Sequence, residues 1–215
     1  MANTTNDLLA VAPASQNQFR ALRNELFLKR QQSPIKTILV TSPIDGQGKS
    51  TVSANLAQTF AQNGDRTLLI DANYRHSDVS AALGDKTQGL AELLAANAAP
   101  EQYIQPTAIA NLSLLAAGAV PEDPSALFVN PAFAQLLESL QQVFAVVIID
   151  GDTFLQHADM QVLATLCDFT LLVVGHKQVK KTAFADTLQA LKTDEVTRYG
   201  VVYNQAPSKR SDYDY

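Results

Sequence analysis

Six short apolar runs constrain this chain more than any other feature: ILV ahead of Thr41, TLLID ending at Asp71, LSLLA after Asn111, VVIID ending at Asp150, FTLLVV from Phe169 and GVVYN ending at Asn204. None alternates apolar with polar residues, so none reads as a strand with one wet face. Continuous, largely β-branched runs of this length suit strands covered on both sides, the pattern of a parallel sheet. Helical patterns lie between them, over 49–62, about 78–96, 125–142, 157–166 and 179–192. The alternation predicts a doubly wound α/β fold, a mostly parallel sheet with helices on both faces and right-handed crossovers. Ligands of such sheets bind beyond the carboxyl ends of the strands.

A chain of 215 residues that is 47% apolar can bury one sizeable core. We place a single domain at 17–204, opening with an amphipathic helix over 17–30 that carries Phe19, Leu22 and Leu26 on one face. Residues 1–16 are small, polar and unpatterned and read as a flexible N-terminus; 97–124 is the least regular interior stretch; 205–215 reads as a flexible tail bearing Tyr213 and Tyr215. With 16 basic against 21 acidic residues the net charge is -5, which lacks the positive field of a non-specific nucleic-acid binder. No window reaches ~18 consecutive apolar residues, and the N-terminus lacks the charge and apolar pattern of a secretory signal, so a cytoplasmic location is expected. The single Cys167 has no intrachain partner and reads as buried and inert. His76, His157 and His176 share no metal-ligand spacing and read as surface or capping residues, and Lys177, Lys180 and Lys181 as a solvated face.

The first apolar run leads into Ser42-Pro43-Ile44-Asp45-Gly46-Gln47-Gly48-Lys49-Ser50-Thr51 and straight on into a strong helix pattern. Strand, glycine-rich turn and helix in this order are the setting of a P-loop, and the fold class becomes a P-loop NTPase type. Gly46 and Gly48 let the backbone curl so that successive N–H groups, from Asp45 to Thr51, face a polyphosphate. The helix N-terminus adds positive potential, Lys49 reaches the terminal phosphates, and the Ser50 hydroxyl is a ligand for Mg²⁺. Pro43 stands where the general pattern has its first glycine. Asp71 and Asp150 each end a run too apolar to hold a charge in its middle, so both emerge at the carboxyl edge that carries the P-loop. One suits a metal-directed acid and the other a base or second metal-shell group.

Lys49-Ser50 in SPIDGQGKST, LLIDANYR (68–75) and VVIID (146–150) resemble the three Walker-type motifs of the bacterial protein-tyrosine kinases, or BY-kinases, that regulate capsule and exopolysaccharide synthesis. FRALRNEL (19–26), LLAAG (114–118), DPSALF (123–128) and GVVYN (200–204) are similar to further segments of that family, so the resemblance covers most of the chain. It implies a transferase that binds Mg-ATP and passes the γ-phosphate to tail tyrosines of a neighbouring copy, here Tyr213 and Tyr215. It also implies that a form without its own membrane segment, like the split kinases of Gram-positive bacteria, is recruited to the membrane and activated by the cytoplasmic tail of a separate transmembrane protein. On this resemblance Ser50, Asp150 and Asp71 organise Mg²⁺, and Asp71 also takes the proton of the attacking tyrosine. Asn204 reads the adenine edge, and Arg20 and Arg23 belong to a self-association helix. A phenol of pKa about 10 attacks poorly unless its proton is taken, so a carboxylate at Asp71 is chemically apt.

The chain departs from that family at Asn73, where the second motif usually has a second aspartate, at Gly151-Asp152 in place of two prolines, and at Asn17 in place of a glutamate. Two other functions share the fold: a nucleotide-binding regulator with weak or no phosphotransfer, which Asn73 suggests, and a partitioning-type ATPase switch. The latter usually carries an extra lysine early in the P-loop, where this chain has Ile44.

Overall fold

The structure, a computed structural model, describes residues 8–85 and 87–207. Tyr213 and Tyr215 lie outside the described residues. Seven strands, β1 (Thr37–Ser42), β2 (Thr67–Asp71), β3 (Ile104–Pro106), β4 (Leu112–Leu115), β5 (Val146–Thr153), β6 (Phe169–Gly175) and β7 (Tyr199–Asn204), form one sheet in the order β3-β4-β2-β5-β1-β6-β7. Every pairing is parallel except β3 with β4. Among the described residues the sheet is flanked by α1 (Pro13–Gln32), which precedes β1, and by α2 (Lys49–Gln62), α3 (Asp78–Leu83), α4 (Leu90–Ala96), α5 (Pro124–Val129), α6 (Pro131–Val143), α7 (Ala158–Leu166) and α8 (Lys181–Thr193).

The continuous apolar runs of the central strands are explained by what covers each face; β7, the last strand of the sheet, departs from the expected cover on both faces and exposes Tyr199, Val201 and Tyr203 on one. Alternate side chains of the central strands (Ile38, Val40, Leu69, Ile148, Leu171) pack with Leu26 of α1 and Val52, Leu56 and Phe60 of α2. The intervening ones (Leu39, Leu68, Ile70, Val147, Ile149, Leu172) pack with Phe133 and Leu137 of α6, Met160 of α7 and Leu191 of α8. Neither face meets water, so neither can be polar. No helix among the described residues is long and apolar enough to cross a membrane.

Element boundaries differ from the periodicity in four places. The helix expected at 17 begins at Pro13, since proline suits a first helical turn. The pattern over 78–96 is two helices: α4 starts after Gly89, whose backbone lies so close to β4 that a Cβ there would sit 2.1 Å from the Ala116 carbonyl oxygen. The pattern over 125–142 breaks at Asn130-Pro131, where Asn130 Oδ1 accepts the Ala132 N–H at 3.0 Å and caps α6. Finally, β3 and the polar extension of β5 beyond Asp150 carry no apolar signature; both exist through pairing with a neighbour, β5 across a register shift opposite Val40 and Ser42.

At the amino edge of the sheet, Asp168 fixes β1 against β6. Its Oδ2 accepts the Lys36 N–H at 2.7 Å, the Thr37 N–H at 2.9 Å and the Thr37 hydroxyl at 3.0 Å, while that hydroxyl accepts the Asp168 N–H at 2.8 Å. Asp168→Ala is expected to cost about 2–4 kcal/mol in urea unfolding, because buried amides lose a charged acceptor. Nucleotide affinity, governed at the opposite edge, is expected to stay at the parent value.

Candidate nucleotide site

β1 and α2 are joined by the P-loop, and its two glycines hold left-handed backbone, Gly46 at φ 77° and Gly48 at φ 82°. A Cβ at Gly48 would also lie 2.5 Å from Asn204 Nδ2, so only glycine fits on both counts. Gly48 caps α2 without a side-chain acceptor, which leaves the first-turn N–H groups facing outward. Gln47, buried within the loop, ties it to neighbouring strands. Its Oε1 accepts the Gly175 N–H at 2.7 Å, its Nε2 donates to the Asp45 carbonyl at 2.9 Å, and its own carbonyl accepts from Asn204 Nδ2 at 2.9 Å.

Asp45, Gly46, Gln47, Gly48, Lys49, Ser50 and Thr51 line one cavity of about 390 Å³, together with Asn73, His76, Asp78, Gln205 and Leu8. Asn204 does not line the cavity: its amide donates to the Gln47 carbonyl at 2.9 Å, and its Oδ1 accepts the Gln205 N–H at 2.9 Å. Leu8 gave no sequence signal, lying in an unpatterned segment, and is held by Asn55 Nδ2 donating to its carbonyl at 2.9 Å.

Below the cavity, Asp71 and Asp150 stand side by side, paired in register on β2 and β5 and both fully buried. Asp71 Oδ1 accepts the Asn73 N–H at 3.1 Å; its Oδ2 accepts the Ser80 N–H at 2.8 Å and the Ser80 hydroxyl at 2.6 Å. Asp150 Oδ1 accepts the Ser53 hydroxyl at 2.7 Å, whereas Oδ2 is buried without a hydrogen-bond partner. An orphaned carboxylate oxygen beneath a hydroxyl-bearing loop fits a hard cation such as Mg²⁺, which takes oxygen donors. Burial holds both carboxyls above the usual carboxylate range. For Asp150 the neighbouring Asp71 charge adds to the rise, against the hydrogen bond from Ser53 and the Lys49 charge.

Asp152, a departure from the family pattern after the third motif, also reaches Lys49. Lys49 Nζ lies 3.6 Å from Asp45 Oδ1 and 3.9 Å from Asp152 Oδ1. His157, expected at the surface or in a cap, holds the position before α7 without a side-chain cap and puts Nε2 3.4 Å from Asp152 Oδ2. His176 pairs with the Tyr203 hydroxyl at 2.6 Å. Arg20 and Arg23 lie on α1, bonded to Asn17 at 3.1 Å and to Asn24 at 2.8 Å, and take no part in the cavity.

A carboxyl whose pKa is raised by folding adds stability below its unfolded value of about 4 and loses that contribution as pH rises through the folded value. Asp150→Asn removes the titration. The nucleotide-free variant is therefore expected to gain on the parent by about 1–3 kcal/mol between pH ~5 and pH ~7.5, read from urea unfolding at each pH. Parallel stability curves would contradict the raised pKa.

Comparison with known proteins gives three results. The model of the CobQ/CobB/MinD/ParA nucleotide binding domain matches residues 38–212. The tyrosine-protein kinase YwqD of Bacillus subtilis is 32% identical over 214 residues, covering 98% of this chain and 90% of that one, while EpsB of Ralstonia solanacearum is 33% identical over 197 residues. The latter match covers 91% of this chain but only 26% of EpsB, so the chain spans about a quarter of that relative. The BceF tyrosine kinase domain superposes with a TM-score of 0.83 at 31% identity, covering 90% of this chain and 78% of that one.

Proposed function

Because the chain belongs to the CobQ/CobB/MinD/ParA nucleotide-binding family and, within it, to the tyrosine-protein kinases of capsule and exopolysaccharide systems, we propose that it is an ATP-dependent protein-tyrosine autokinase. The observation that carries the proposal is the stack of P-loop, Lys49 and the in-register pair Asp71 and Asp150, with Asp150 Oδ2 left unpartnered.

In this reading the outward-facing amides of 45–51 bind the phosphates and the Lys49 ammonium neutralises them. Ser50 and Asp150 would hold Mg²⁺, which when bound supplies charge neutralisation on the phosphoryl oxygens. Asp71 accepts the phenol proton of the incoming tyrosine. Its raised pKa brings the carboxylate nearer to working pH, where a general base is most effective. Ser80 must release Asp71 Oδ2 for that step. Asn204 reads the adenine edge once its amide leaves the Gln47 carbonyl. The acceptors are Tyr213 and Tyr215 of a neighbouring copy, with 17–204 as the catalytic domain and 205–215 as its tail. The α1 face with Arg20 and Arg23 supports self-association. A transmembrane activator would recruit the chain from the cytoplasm, and with a net charge of -5 nucleic acid is not a partner. Asn73, an amide in the cavity whose Oδ1 is taken by the His76 N–H at 3.1 Å, favours a second reading as a regulator with weak phosphotransfer.

Incubation with Mg-ATP and an activator tail, followed by phosphotyrosine detection and peptide mass mapping, tests the proposal. Phosphate is expected on Tyr213 and Tyr215, with Lys49→Met lowering the signal by at least ~100-fold. Equal phosphotyrosine in Lys49→Met would overturn the site assignment, and nucleotide binding without phosphotyrosine would favour the regulator.

A further inference from the structure

We propose that Asp152 is a positioning residue that restrains Lys49 in the nucleotide-free chain and yields it to the phosphates; the inference rests on the nucleotide-binding role of the P-loop proposed above. Lys49 is 7% exposed and therefore needs anionic partners. Asp45 is 58% exposed, so water screens its attraction, whereas Asp152 is 2% exposed. Of the two carboxylates within 4.0 Å of the ammonium, the buried one is therefore the less screened, and it restrains Lys49 in the free state.

Asp152 cannot follow the lysine. Its carbonyl accepts the Thr41 hydroxyl at 2.5 Å and its Oδ1 accepts the Thr153 N–H at 2.7 Å, which fixes both backbone and side chain. Nor is it stranded when the lysine leaves. Oδ2 keeps Arg75 and His157, each at 3.4 Å, and the same Arg75 nitrogen reaches Asp159 Oδ2 at 3.3 Å. At 3.9 Å the lysine contact is an ion pair longer than a hydrogen bond, the weakest of the set. A phosphate therefore takes Lys49 from Asp152 at a modest cost, and the carboxylate then limits how far the ammonium moves. The restraint lowers ground-state affinity for nucleotide while orienting Lys49 for transfer.

Removal of the charge should consequently separate binding from chemistry. In Asp152→Asn the Mg-ADP Kd, measured by calorimetry, is expected to fall by about three- to tenfold, because a competing anion is lost. The phosphotransfer rate at saturating Mg-ATP is expected to fall by about tenfold, because the lysine is no longer oriented; Asp152→Glu, which keeps the charge, should recover most of both. Should Asp152→Asn not fold, the combined change Arg75→Gln, Asp152→Asn and Asp159→Asn removes the cation together with both of its carboxylates and leaves none of them buried alone. That protein must bind Mg-ADP more tightly than Arg75→Gln with Asp159→Asn. An unchanged Kd, or a Kd that rises in step with a lowered melting temperature, would overturn the proposal. A parent chain without phosphotyrosine would instead defeat the kinase reading, since the Mg-ADP comparison decides the restraint by itself.

Discussion

Two carboxylates held side by side in a dry place are the constraint around which the rest of the structure is arranged. Asp71 and Asp150 end adjacent parallel strands in register, and neither reaches water. Such a pair resists double ionisation, since each charge lacks hydration and repels the other. The fold answers with local donors: Ser80 and the Asn73 amide for Asp71, Ser53 for Asp150. One oxygen, Asp150 Oδ2, is left over. A site that spends stability on a buried, incompletely satisfied acid is organised for a positively charged ligand.

The surrounding elements keep that acid pair aligned with the loop above it. Gln47 anchors the loop to β6, and Asn204 anchors it to β7, so the P-loop is fixed by two strands on the side away from the acids. Lys49 spans the gap between the loop and β5, where Asp152 receives it. At the other edge, Asp168 sets the stagger of β1 against β6. These ties bring groups far apart in sequence to a common geometry before any nucleotide arrives.

Much of this was legible in the sequence because burial on both faces writes a continuous apolar run, and a charge that closes such a run must lie at its end. That logic located Asp71 and Asp150, and the glycines with Lys49-Ser50 located the loop. It was silent where structure follows from contact alone. Leu8 belongs to a segment without periodicity, β3 is a short polar strand paired with β4, and the helix breaks at Gly89 and Asn130 depend on close approach and capping. Asn204 was legible as the end of an apolar run, but its use on the Gln47 carbonyl follows from the approach of β7 to the P-loop. Asp152 was visible only as an unusual residue; its pairing with Lys49, Arg75 and His157 arises from a strand that continues past the apolar run.

Burial raises both carboxyls of the Asp71–Asp150 pair, so a magnesium nucleotide binding beside them is expected to expel a proton. Calorimetry of Mg-ADP binding at pH ~6, run in buffers of different ionisation enthalpy, counts that proton directly. The account predicts that the parent releases a substantial fraction of a proton per chain beyond what Asp150→Asn releases, because a cation beside the pair favours its ionised form. Equal release from parent and variant would contradict it.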